Sequence, residues 1–132
     1  MKVIGSVKED LSLEKRISIT PEILKKYNSL GFAINLEKNF AEHLGFHDDD
    51  YKINGVNLFD SKNEVLDKSD IILGVNYPLS DDVQFMKNES IFIGQFDEKI
   101  NKDLINKLTK KNIKIFSLNL LPRITRAQSM DV

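Results

Sequence analysis

The 132 residues contain no cysteine, which excludes disulfides and thiolate-held metals. Glycine is scarce and scattered: Gly5, Gly31, Gly45, Gly55, Gly74 and Gly94 stand at least ten residues apart. A dinucleotide fingerprint needs three glycines within about six residues, so that the backbone can approach the pyrophosphate. A P-loop needs a similar cluster ending in lysine. Neither pattern is present, so this chain does not by itself cradle a dinucleotide in the usual way. No apolar run approaches the roughly 18 residues of a membrane span. Charge of one sign is also lacking. A net charge of -1 and a pI near 6.1 give no general pull toward nucleic acid or anionic lipid. The N-terminal residues read as a strand rather than a targeting peptide, so a cytoplasm-like compartment is expected.

What is present is ordinary for a soluble globular domain: 41% apolar and 30% charged residues. The length sets an expectation of one domain over residues 1–132. Residues 2–7 form a short apolar run, a first strand buried on both faces. Thr20, Pro21 and Glu22 mark a helix start, with a hydroxyl cap, proline at the first position and an acid in the first turn. Ile23, Leu24, Tyr27 and Leu30 recur at helical spacing until Gly31 stops them. Further strands are expected at 32–36, 56–59, 70–75, 90–93 and 113–118, the fourth strand of the chain being central. Between them lie a single turn at 41–44, an acidic helix from Asp48 to about Asn54, and a helix capped by Asp60 or Ser61. Ser80, Asp81 and Asp82 cap another short helix ending near Lys87, and residues 101–110 carry Leu104, Ile105 and Leu108 on one stripe. Short strands alternating with helices predict βαβ units with right-handed crossovers. The expected fold is α/β: a three-layer, doubly wound, flavodoxin-like parallel sheet of about six strands.

Several clusters invite a chemical reading. His43 and His47 lie four apart, but Gly45 interrupts any helix between them and no H-E-x-x-H pattern exists, so a solvated loop is favoured over a metal. Asp48 to Asp50 and Asp81–Asp82 stand at helix starts, where the macrodipole accounts for acids without a ligand. Glu9, Asp10 and Asp60 resemble part of a phospho-acceptor site, but its lysine is missing. Arg16, in a polar loop after the first strand, suits either a ligand carboxylate or a salt bridge with Glu9 or Glu14.

The segment after the last strand differs in kind. Pro122 bars Leu121 from the α region, so the strand ends and the chain turns. Arg123, Thr125, Arg126, Gln128 and Asp131 then follow within ten residues. A polar segment after a sheet strand is where open α/β sheets keep ligands; the alternative is a solvated tail. Arginine or glutamine plus aspartate would match a carboxamide, which offers one acceptor and one donor group.

Residues 122–131, Pro-Arg-Ile-Thr-Arg-Ala-Gln-Ser-Met-Asp, closely resemble a segment of the NAD-binding alpha subunit of proton-translocating NAD(P) transhydrogenases. Residues 1–9 and 15–21 look like the N-terminal domain these share with alanine dehydrogenases, and Leu30-Gly31-Phe32 and residues 70–73 and 75–79 continue the likeness. The resemblance implies hydride transfer from NADH to NADP+, coupled to proton movement through a separate membrane part. It implies NAD(H) at a site shared with a Rossmann lobe that this chain lacks, and NADP(H) on a partner component. Arg123 and Asp131 fall on positions that contact the nicotinamide, Gln128 on one that reaches toward NADP(H), and Ile124, Thr125 and Arg126 line the cofactor. No catalytic acid, base or metal is implied. Implied partners are the membrane-embedded and NADP(H)-binding components and a second copy in a homodimer, with no nucleic acid and no direct membrane insertion. The implied location is cytoplasmic, peripheral to the inner membrane, and the chain alone is expected to be inactive. The alternatives are an alanine dehydrogenase-like oxidoreductase and a non-enzymatic flavodoxin-like interaction domain. Against the former, the lysine and histidine expected after the fourth and fifth strands are replaced by Gly74 and by Gly94-Gln95-Phe96-Asp97, and only Arg16 of that substrate set remains.

Overall fold

A computed structural model describes residues 2–9, 16–76, 80–95 and 102–117. The strands are β1 (Val3–Ser6), β2 (Ala33–Glu37), β3 (Asn57–Phe59), β4 (Ile71–Asn76), β5 (Ile91–Gln95) and β6 (Lys114–Ser117). The helices are α1 (Leu24–Ser29), α2 (Asp48–Lys52), α3 (Lys62–Asp67) and α4 (Lys102–Lys110). All six strands pair in parallel in the order β3-β2-β1-β4-β5-β6. The doubly wound α/β architecture is thus as expected. Its order is that of dinucleotide domains rather than the 2-1-3-4-5 of flavodoxins, because β3 pairs outside β2 at one edge.

The two sheet faces are built from alternate residues. One core holds Ile4, Leu24, Ile34, Leu36, Phe40, Tyr51 and Val56, so α1, α2 and their loops lie over β1 to β3. The other holds Leu66, Ile72, Val83, Met86, Phe92, Leu104 and Leu108, contributed by α3, α4 and the 3-10 helix Ser80–Phe85 with the strands beneath them. Right-handed crossovers require this division, since the chain moves one way from β1 to β3 and the other way from β4 to β6.

Local chemistry departs from expectation in three places. Thr20 makes no side-chain cap bond, and the segment it opens begins as a 3-10 turn, Pro21–Ile23. Ser80–Phe85 is 3-10 rather than α, and buried Asp82 pairs with Lys62 of α3 at 3.1 Å. On α4, Ile105 faces outward while Leu104 and Leu108 are buried. Of the two expected caps for α3, Ser61 is the one that accepts from the Glu64 N–H, at 3.4 Å.

Gly5 sets the distance between β1 and α3. A Cβ there would stand 2.1 Å from Ser69 Oγ and 3.1 Å from Val65 Cγ1. Ser69 is fully buried and donates to the Val65 carbonyl at 2.6 Å. Beside it, buried Asn35 donates to Ser69 Oγ at 3.4 Å and accepts from Asn57 Nδ2 at 3.2 Å. At the amino ends of the strands, Asp70 joins three neighbours. Its carboxylate accepts from Val3 N–H and from Lys87 Nζ, both at 2.9 Å, and its carbonyl accepts from Ile91 N–H at 3.0 Å.

Candidate functional site

In an open α/β sheet, ligands lie outside the carboxyl ends of the strands, where the strand order reverses. Here that point falls between β1 and β4. The chain fills much of it with its own groups. The buried Ser6 hydroxyl donates to the Leu73 carbonyl at 2.6 Å, which leaves Ser18 as donor in the 2.5 Å contact between the two hydroxyls. The register of β4 against β5 slips between Leu73 and Asn76. A slip of this kind leaves a ladder position unpaired. The Val75 N–H is taken up by Glu9, whose Oε2 lies 3.0 Å away. The Lys8 N–H in turn donates to Glu37 Oε1 at 2.9 Å, linking the ends of β1 and β2.

The loop returning to α1 is tied down beside this edge. Ile19 is completely buried, and its carbonyl accepts from Tyr51 Oη at 2.9 Å. The Tyr51 ring meets Phe40 edge-on, with centroids 5.9 Å apart. Burial, with Asp50 and Asp48 nearby, pushes the Tyr51 phenol up to about 12. Arg16, next to this anchored stretch, is exposed.

Other candidates resolve into structural roles. Asp50 accepts from His47 N–H at 2.8 Å, as a helix-start acid should, and Asp48 accepts from Asn39 N–H at 2.9 Å in the turn after β2. Gly45, at φ 86°, separates His43 from His47, and no group of three or more metal-ligating side chains occurs among the described residues. Asp60, at the edge of the sheet, pairs with Lys38 at 2.8 Å and raises that ammonium's pKa. Glu9 is committed to the switch point, so the two do not assemble into a phospho-acceptor site. Asp10 lies outside the described residues.

The terminal candidates Arg123, Ile124, Thr125, Arg126, Gln128 and Asp131 also lie outside the described residues. The structure does establish that β6 runs parallel to its neighbours and ends at Ser117 on the carboxyl edge. Sequence reasoning misses the Glu9–Val75 bridge and the Ser6–Ser18 pair. In the sequence, Glu9 suggests only a phospho-acceptor acid or a partner for Arg16, and a serine inside an apolar strand is the available signal for the pair.

The profile of the family described as "Alanine dehydrogenase/PNT, N-terminal domain" matches residues 5–132. The chain belongs to this family. Within it, the chain is 33% identical over 136 residues to the first part of the NAD(P) transhydrogenase alpha subunit of Rickettsia prowazekii, covering 99% of this chain and 35% of that protein. The solved transhydrogenase from Sinorhizobium meliloti superposes with a TM-score of 0.84 at 28% identity, over 98% of this chain and 39% of that one. An L-alanine dehydrogenase structure shares the fold, with a TM-score of 0.79 at 19% identity, over 87% of this chain and 32% of that one. The expected likeness to the N-terminal domain of the transhydrogenase alpha subunit is therefore borne out. The relationship is to proteins named as transhydrogenase subunits and alanine dehydrogenases. The chain spans about a third of the length of the transhydrogenase relative. Among the described residues, no helix is long and apolar enough to cross a membrane.

Proposed function

We propose that this chain is the first lobe of the NAD(H)-binding component of a proton-translocating NAD(P) transhydrogenase. The observation that carries the reading is the match to transhydrogenase proteins across almost the whole chain, 99% and 98% of it in the two relatives above. The terminal segment, with its specific likeness, adds residue roles to it. In this reading the chain forms one wall of a nicotinamide site, and residues 1–132 are one domain whose Rossmann lobe is supplied from elsewhere in the component.

The described residues do not fit a whole dinucleotide. No glycine-rich turn follows β1, and the N–H freed on β4 already serves a carboxylate, which would repel a pyrophosphate. Pyrophosphate and adenosine therefore belong to the other lobe. The donor set of the terminal segment does fit a carboxamide. Arg123 donates to its oxygen, Asp131 accepts from its NH2, and Gln128, able to do both, reaches toward NADP(H) on a partner component. Ile124, Thr125 and Arg126 line the ring. The bound NAD(H) supplies the hydride, and the protein's part is to hold and orient the ring, so no general acid, base or nucleophile is needed. Proton coupling resides in membrane-embedded partners, which would hold a homodimer of the component at the cytoplasmic face of the inner membrane. The isolated chain turns nothing over.

The test is hydride transfer from NADH to an NADP analogue by the complete component with its partner, in Arg123→Ala and Asp131→Ala variants. A hydrogen bond to a charged group contributes about 1.5–3 kcal/mol, so each variant should lose roughly 10- to 150-fold in rate. Wild-type rates in both variants would refute the assignment. Alanine-dependent NAD reduction without transfer to the NADP analogue would move the protein to the alanine dehydrogenase branch.

A further inference from the structure

Twelve asparagines stand in the chain, and one of them, Asn54, is followed by glycine. Glycine matters there because an asparagine amide can be attacked by the next backbone nitrogen, and a side chain on that residue hinders the approach. Gly55 lies in the left-handed region, at φ 82°, and a Cβ built on it would meet nothing within 4 Å. It is exposed, as are Lys52 and Ile53, the isoleucine at 82%. Solvent therefore reaches this turn between α2 and β3.

The folded chain holds both reacting groups back. Asn54 Nδ2 donates to the Asp50 carbonyl at 3.1 Å, and the Gly55 N–H donates to the Lys52 carbonyl at 2.9 Å. Both bonds close the last turn of α2, a helix of five residues whose one buried side chain is Tyr51. A helix that short owes its persistence to packing rather than to its own hydrogen bonds. Its end is where opening costs least, since local opening ranges from almost free at fraying ends to the global cost in the core. One fraying event releases the nucleophile and the electrophile together.

We propose that Asn54–Gly55 is a deamidation site, gated by fraying of the α2 end, at which the chain acquires an isoaspartyl linkage. Water or hydroxide takes the Gly55 amide proton as that nitrogen bonds to Asn54 Cγ. The Cγ–Nδ2 bond then breaks, and ammonia leaves with a proton from solvent. Water opens the resulting five-membered imide in one of two ways. Cleavage between Gly55 N and Cγ gives aspartate. Cleavage between Gly55 N and the Asn54 main-chain carbonyl gives isoaspartate, with the backbone longer by one methylene. Only water enters and only ammonia leaves, with no change of oxidation state.

Either product removes the amide that serves the Asp50 carbonyl and puts a carboxylate at the negative end of a helix dipole. The isoaspartyl form also relocates the Asn54 carbonyl that accepts from Asn28 Nδ2 at 2.8 Å, the tie between α2 and α1. Tyr51 rides on the same helix, so its hold on the Ile19 carbonyl beside the switch point loosens too. An exposed isoaspartyl carboxylate in this turn is a methyl acceptor for a carboxyl methyltransferase of the repair class.

The test is peptide mapping of the chain after incubation in warm neutral buffer. Loss of the Asn54 amide should run an order of magnitude ahead of every other asparagine. A purified isoaspartyl methyltransferase should transfer methyl from S-adenosylmethionine to that peptide. Unfolding in urea should speed the loss. Tyr51→Phe, which slackens α2, should speed it in buffer but not in urea. Gly55→Ala should slow it in urea, where the strain of a positive φ plays no part. Comparable loss at other asparagines, the absence of methyl transfer, or an unchanged rate in Gly55→Ala would overturn the site. Equal rates in buffer and urea, or no effect of Tyr51→Phe in buffer, would overturn the gating. None of these readouts involves hydride transfer, so the inference stands apart from the function proposed above.

Discussion

Replacing Gly5 by alanine perturbs a single contact whose geometry is known. The added Cβ would stand 2.1 Å from Ser69 Oγ and 2.7 Å from Ser69 Cβ. The second distance matters more, because a hydroxyl can rotate away and a Cβ cannot move without its backbone. Ser69 is also held by its bond to the Val65 carbonyl and by the amide of Asn35. Relief therefore requires α3 to withdraw from β1 or the Asn35–Ser69 network to break. Overpacking of a tight core costs about 1–3 kcal/mol, and leaving a buried polar group unsatisfied costs about 1–3 kcal/mol more. Reduced freedom of the unfolded chain returns about 0.4–1 kcal/mol. The net expectation is a loss of about 2–4 kcal/mol. Urea unfolding followed by circular dichroism should show a lower midpoint with an unchanged slope. A second substitution, Ser69→Gly, removes both clashing atoms, so the double variant should be more stable than the sum of the single losses allows. If Gly5→Ala falls within about 0.5 kcal/mol of wild type, the inferred approach of β1 to α3 is wrong.

Tyr51→Phe leaves the buried Ile19 carbonyl without its donor and should cost about 1–3 kcal/mol in the same unfolding assay. Because the phenol is raised to about 12, wild type loses stability as pH climbs from the unfolded value near 10 toward 12, and the phenylalanine variant should lack that component. Asp70 shifts the other way. Hydrogen bonds from Lys87 and then from Val3 N–H lower its pKa below 3.8, so its stabilisation is present above that value and disappears as pH falls through the lower folded value. Asp70→Asn should therefore lose about 1–2 kcal/mol at neutral pH and converge with wild type in strong acid; an equal gap at both extremes would sink the argument.

The alternation of apolar runs with helical stripes is enough to place all six strands and the parallel sheet, because each period leaves a separate mark. Strand order leaves no such mark. A βαβ pattern is the same whether the third strand pairs outside the second or beside the first, and only pairings such as Asn35 with Asn57 decide it. Asn35 itself is visible as a polar residue inside an apolar strand, but its partners come from β3 and from the turn after α3, 22 to 34 positions away. Short 3-10 segments read as α in the sequence because the capping residues and acids are the same for both, while Asp82 serves a neighbouring helix rather than its own. At the candidate site, Arg123 and Asp131 are legible through residue type and likeness. The Glu9–Val75 bridge is not, since it depends on a register slip that no local pattern announces.

The tie made by Asp70 also sets an order of events during synthesis. Val3 and Asp70 are 67 residues apart, and the carboxylate that accepts the Val3 N–H must be made before β1 can be fixed on that side. At about 5–20 residues per second, the ribosome takes roughly 3–13 seconds to cover that distance. Throughout that interval the edge of β1 destined for β4 is open, whatever part of the first core has formed. A growing chain with that edge exposed is a natural client for a holdase. A slow stretch of translation just before codon 70 would lengthen its risk.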